Sequence, residues 1–246
     1  MKRYFVLAYG IICYAAFLVT FLYTVGFLGD FIVPKTINAG PAVPLAYAIV
    51  LDALLVCLFG IQHSGMARRG FKRLLTRVLP RSMERSTYVL FTCAVLGLLF
   101  WQWKPIPVVV WNINLPWIRW VITGIYGAGW VVVLVSAKLI SSGHLFGLKQ
   151  VRAYVRGKEL QSPEFQTPGF YRYVRHPLMV GFLMVFWATP TMTAGHLLFA
   201  TLMTSYILAG IQFEERDLIS QFGERYRKYR KQVPMLIPLT KQTQEN

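Results

Sequence analysis

Residues 178–213 read LMVGFLMVFWATPTMTAGHLLFATLMTSYILAGIQF, 36 positions without an Asp, Glu, Lys or Arg. A straight helix through them would be about 54 Å long, against a hydrocarbon core of roughly 30 Å. The chain must therefore turn inside the stretch. Pro190, between Thr189 and Thr191, and Gly195 mark the place. The expected structure is a helical hairpin, roughly 178–189 and 196–213, whose polar ends return to one side of a membrane. One end is Tyr171-Arg172-Tyr173-Val174-Arg175-His176-Pro177, the other Glu214-Glu215-Arg216-Asp217-Leu218. The hairpin makes neighbours of Arg175, His176, Glu214 and Glu215 at one membrane surface, which is a candidate active site. If the hairpin is short, it does not fully cross the bilayer.

The rest of the chain has the same character. It is 55% hydrophobic and 15% charged, with mean hydropathy +0.47, which places it among integral membrane proteins. The net charge of +16 would suggest nucleic acid in a soluble protein. Here it lies in loops between apolar runs, which fits membrane topology and anionic lipid and excludes a nucleic-acid partner. Cys13, Cys57 and Cys93 fall in apolar segments without metal-like spacing and read as small hydrophobes.

Further spans are expected at roughly 4–29, 43–62, 86–103 and 119–140. The first is too long for a signal peptide, has no clear cleavage site, and reads as a retained span. Asp52 lies inside the second span, where it reads either as a site or polar-network residue or, more plainly, as a structural bond to a neighbouring helix. Arg68, Arg69, Lys72, Arg73 and Arg77 alternate with Phe71, Leu74, Leu75 and Val78, the pattern of an interfacial helix. A second amphipathic helix is expected around Leu145–Val155, and an amphipathic tail helix from 214, with Tyr226 and Tyr229 on its stripe, ending at Pro234. Trp101 and Trp103 mark the far interface. Gly124, Gly127 and Gly129 would permit close helix contact. Seven basic residues fall in 63–86, six in 141–177 and seven in the tail. The opposite loops carry Lys35, Lys104 and, at an edge, Arg119. This asymmetry places both termini in the cytoplasm. The fold class is all-α: a polytopic membrane protein of about five or six membrane helices, including the C-terminal hairpin, with amphipathic cytoplasmic helices. The expected division is a four-span region, 1–140, and a catalytic region, 141–246.

His63, His144 and His176 fall at expected cytoplasmic ends and His196 near the hairpin turn, but no metal-ligand spacing appears. Nucleotide-binding glycine motifs and a G-x-S-x-G elbow are also absent. The hairpin ends suit a zwitterionic ligand. Arg175 and the amides of a helix start would hold a carboxylate, and Glu214 and Glu215 an ammonium or hydroxyls. The plainer alternative leaves Arg175 at the headgroups and Glu214 paired with Arg172 or Arg225.

Arg175-His176-Pro177-Leu178-Met179-Val180-Gly181 resembles the RHPxYxG-type motif of membrane methyltransferases related to isoprenylcysteine carboxyl methyltransferase, with Met179 where many relatives have Tyr. Glu214-Glu215-Arg216-Asp217-Leu218 is similar to that family's EExxL element, and Gly223, Tyr226, Tyr229 and Val233-Pro234 to its GxxYxxY…VP pattern. Gln62-His63-Ser64-Gly65-Met66-Ala67-Arg68 resembles the nurim/NnrU-like branch. Glu84-Arg85-Ser86-Thr87-Tyr88, Phe100-Trp101-Gln102-Trp103-Lys104-Pro105 and Leu145-Phe146-Gly147-Leu148-Lys149-Gln150 resemble the bacterial methanethiol S-methyltransferases. Ser141-Ser142-Gly143-His144 stands where those relatives carry Asn-His-Phe-Asp/Glu.

The resemblance implies S-adenosyl-L-methionine as cofactor, methanethiol as acceptor and dimethyl sulfide as product, in a bacterial inner membrane. It assigns Arg175, His176, Tyr171, Tyr173, Glu214, Glu215 and Tyr226 to the cofactor. The thiol needs a base, for which His63, His176 and Glu84 are candidates. Another small thiol, a lipid-like acceptor, a non-enzymatic nurim-like scaffold and a transporter are the alternatives. In a scaffold the acids and His residues would lie in separate salt bridges without a cavity.

Overall fold

The computed structural model describes residues 2–140, 146–158 and 164–238. Among the described residues, five helices are long and apolar enough to cross a membrane: α1 (Lys2–Gly29), α2 (Leu45–Ala67), α4 (Arg81–Gln102), α5 (Pro116–Leu139) and α8 (Ala194–Phe222). Between them lie α3 (Arg69–Val78), α6 (Leu148–Val155) and α7 (Pro177–Trp187), with α9 (Glu224–Gln232) at the end. A short antiparallel pair joins β1 (Val109–Asn112) to β2 (Thr191–Thr193). The chain is an all-α, multi-pass membrane protein.

It divides into two compact units that do not follow chain order. The first takes in the described residues of 1–112, 142–161 and 191–202, the second those of 113–141, 162–190 and 203–246. In the first unit α4 packs on α1 and α2, and α6 seats Val151 among Val6 and Met83. Gly10 makes this possible, since a Cβ there would stand 2.8 Å from Val151. Asp52 is fully buried and accepts the Lys104 amide at 2.9 Å, a structural bond to the segment that follows α4 rather than to a helix. Trp103 departs from expectation. It is fully buried against Phe27 and Phe199, with its indole N–H on the Ile37 carbonyl at 3.1 Å, while Trp101 stays exposed. α4 ends at Gln102, and the turn that follows swings Trp103 inward. Of the apolar stripe expected on α3, Leu75 packs on the Met66–Tyr88 cluster, while Phe71, Leu74 and Val78 are exposed. The second amphipathic helix begins at Leu148; Leu145, His144 and Ser142 lie outside the described residues.

In the second unit α5 and α7 touch backbone to backbone. A Cβ at Gly181 would fall 2.7 Å from the Gly129 carbonyl oxygen, and one at Gly129 would fall 2.9 Å from that of Gly181. Of the three glycines expected to allow close contact, Gly129 does so, while Gly124 and Gly127 face open space. Gly181→Leu is therefore expected to destabilise this unit by more than the roughly 1–3 kcal/mol of ordinary overpacking, because backbone rather than a movable side chain stands in the way. Thermal unfolding in detergent measures it, with Gly127→Leu as the near-neutral control.

The hairpin turns where expected, at 188–193, but its arms are unequal. With eleven residues α7 is about 16 Å long and cannot span the hydrocarbon core as a helix. Its partner α8 does not stop at 213. It runs unbroken to Phe222, because no glycine or proline falls between Phe213 and Gly223, and Gly223 takes a left-handed φ of 57°. The separate tail helix therefore begins at Glu224 rather than 214.

Candidate active site

All residues of this site belong to the second unit. α7 opens with Pro177 at its first position and His176 as N-cap. The antiparallel register against α8 is set at the far end, where the Trp187 indole donates to Thr204 Oγ1 at 3.0 Å. Eleven residues back along α7 and eleven on along α8, His176 meets Glu215. The register thus delivers two carboxylates to the positive end of the α7 dipole.

Glu215 is the hub, and it is buried. Its Oε1 accepts Arg175 Nε at 2.7 Å and lies 3.2 Å from His176 Nε2. Its Oε2 is 3.8 Å from Arg230 Nη1. Glu214 Oε2 is 3.6 Å from His176 Nδ1, and its side chain is half exposed. Both nitrogens of the buried His176 ring thus face carboxylates. Of the plainer ion pairs, neither Arg172 nor Arg225 takes Glu214; the bound pair is Arg175–Glu215.

The chain beyond α9 closes the cluster. Arg175 Nη1 donates to the carbonyls of Arg230 at 3.0 Å and Val233. The Arg175 and His176 amides donate to Pro234 and Met235 carbonyls at 2.9 and 3.2 Å. Two amides expected to face a ligand are therefore taken by the tail. The first-turn amides of Leu178 and Met179 are left as the natural donors of the helix start.

Tyr171 and Tyr226 are buried beside these acids, and among the described residues neither hydroxyl has a hydrogen-bond partner. Burial, followed by the Glu214 charge and Tyr229, pushes the Tyr171 phenol above its ordinary range. Burial and then Glu215 do the same for Tyr226, against the opposing pull of Arg175. Both stay neutral donors. Tyr229 is pushed up to about 12, chiefly by burial, and donates to the Tyr171 carbonyl at 2.6 Å. Phe165 stacks edge-on against Tyr226 and Tyr229. Tyr173 is exposed.

A buried hydroxyl without a partner costs about 1–3 kcal/mol. Tyr171→Phe and Tyr226→Phe should each raise the melting temperature of the ligand-free protein. A ligand that accepts from these hydroxyls should bind each variant about tenfold more weakly. Unfolding scans with and without ligand read both effects, and a lowered ligand-free melting temperature would refute the orphan assignment.

Sequence reasoning anticipated Arg175, His176, Glu214 and Glu215 as neighbours, and the second unit brings them together with Tyr171 and Tyr226. It did not assign Tyr229, Arg230 or Phe165 to the site. Tyr229 and the Val233-Pro234 end carried a signal in the motif pattern; Phe165 carried none. His63 and Glu84 belong to the first unit. The His63 ring lies 5.3 Å from Phe59 and 5.2 Å from Tyr88, and Glu84 is in the first turn of α4.

A helical multi-pass membrane protein with a partly buried Arg–His–dicarboxylate cluster, closed by its own C-terminal segment, is the class that fold and site define. The chain belongs to the family described as NnrU protein, whose model matches residues 51–232. It is 51% identical over 236 residues to methanethiol S-methyltransferase 2 of Bradyrhizobium diazoefficiens, covering 96% of this chain and 91% of the relative. It is 49% identical to methanethiol S-methyltransferase of Mycobacterium tuberculosis, covering 97% of this chain and 98% of the relative. Nurim of Sus scrofa is 32% identical over 186 residues, 72% of this chain and 68% of that protein. No solved structure matches the chain.

Proposed function

We propose that this protein transfers a methyl group from S-adenosyl-L-methionine to methanethiol, giving dimethyl sulfide and S-adenosylhomocysteine. The reading rests on one observation: the Arg175–His176–Glu214–Glu215 cluster, built around the buried Glu215 and His176, occurs in a chain about half identical, over nearly its whole length, to proteins named methanethiol S-methyltransferase. That the acids and His176 form one cluster rather than separate salt bridges favours an enzyme over a scaffold.

The residues present fit the cofactor. Two orphaned phenols are donors for a carboxylate or hydroxyl, Glu214 is an anion for an ammonium, and Phe165 and Tyr226 are apolar faces for a base. When bound, S-adenosyl-L-methionine supplies an electrophilic methyl on a positively charged sulfur. Glu215 holds Arg175 and His176 in place, and the α9 tail fixes the backbone that carries them. Exclusion of water favours a reaction in which a thiolate and a sulfonium lose their charges. Proton removal from the thiol falls to His176, His63 or Glu84. Tyr173, at the surface, lines the mouth. The catalytic region is 141–246, in a bacterial cell membrane with both termini cytoplasmic.

Purified protein with S-adenosyl-L-methionine and methanethiol should release dimethyl sulfide into the headspace, and prenylcysteine should give no methyl ester. Absence of the sulfide, or faster turnover of another thiol or of prenylcysteine, would overturn the acceptor.

A further inference from the structure

On the first unit, a groove of about 300 Å³ runs between α1 and α4, lined by Val19 and Tyr23 on one side and Gly97, Phe100 and Trp101 on the other, with Lys35 at one end. Val19 and Trp101 are 68% and 69% exposed on helices long enough to span, so the groove opens toward hydrocarbon. Its floor is open at Gly97, where a Cβ would meet nothing within 4 Å.

What distinguishes this groove from ordinary helix relief is its polar end. The half-buried Lys35 ammonium donates to the Trp101 carbonyl, and the Lys35 carbonyl accepts the Tyr23 hydroxyl at 3.1 Å. Burial, then the nearby Lys104 charge, lowers the Lys35 pKa, against the opposing pull of Asp52. Among the described residues, neither nearby acid makes a hydrogen bond or ion pair with the Lys35 ammonium. Asp52 takes the Lys104 amide, and Asp30 takes Thr36 and Asn38. Two cations, one partly desolvated, thus stand where Tyr23 and Trp101 mark the level of lipid headgroups. An anion there relieves the repulsion between them, and an acyl chain fills the apolar length behind it.

We propose that this groove binds one anionic phospholipid, its phosphodiester on Lys35 and an acyl chain along Gly97 and Phe100. Native mass spectrometry of the delipidated protein in detergent tests it, with dioleoylphosphatidylglycerol and dioleoylphosphatidylcholine titrated in parallel. The expected result is a single phosphatidylglycerol adduct at least fivefold tighter than that of phosphatidylcholine. Lys35→Gln should remove the preference. Gly97→Leu, which fills the groove without a clash, should weaken the adduct about tenfold. Equal affinity for the two lipids, or an adduct that survives both substitutions, would overturn the proposal.

Discussion

Glu215→Ala is expected to lower folded stability by about 3–5 kcal/mol and to abolish methyl transfer. The carboxylate is buried and is the shared acceptor of Arg175 and His176, with Arg230 at longer range. Removing it strands a buried guanidinium and leaves the His176 Nε2 position without its partner. Glu215→Gln keeps the volume and one acceptor oxygen but loses the charge, so it should fold better than the alanine variant yet remain poorly active. Unfolding in detergent and headspace sulfide measured on the same preparations separate the two losses. An alanine variant as stable as the parent would show that water reaches Arg175 freely.

Arg175→Ala should produce the second large effect, of a different kind. The guanidinium ties Glu215 on α8 to the Arg230 and Val233 carbonyls of the tail. Its loss leaves Glu215 underpaired and frees the segment after α9, so amide exchange should rise across 224–238 while α5 and α7 stay protected. S-adenosyl-L-methionine affinity, read by calorimetry, should fall at least a hundredfold. Arg175→Lys restores the charge but not a planar fork able to serve three acceptors, and should recover stability more than affinity. Unchanged exchange in the tail would sink the clamp, and unchanged calorimetric affinity would sink the link to the cofactor.

Much of this was legible in the chain itself. The 36 uncharged residues with Pro190 inside them require a turn, and a turn there returns His176 toward Glu214 and Glu215. The two faces of α3 are written in the spacing of Lys72, Arg73 and Arg77 against Leu74, Leu75 and Val78. The length of the arms was harder to read. The sequence carries no mark at Phe213, so a helix expected to end there continues to Gly223, the first residue at which left-handed backbone is cheap. Trp103 looked like a headgroup anchor because spacing cannot tell an outward aromatic from one that a turn has swung inward.

The amino-acid sequence by itself determined the solvent of this protein, the four spans ahead of the hairpin and the four polar residues that the hairpin brings together. These follow from hydrophobic run length and from the positions of charge, which are properties of single segments. Only the tertiary structure decided that Glu215 rather than Glu214 holds Arg175, that the tail occupies the Arg175 and His176 amides, and that Tyr171 and Tyr226 are left with unused hydroxyls. Those outcomes depend on the register of α7 against α8 and on where the chain after α9 docks. A register is a relation between two segments, and no periodicity within either one encodes it.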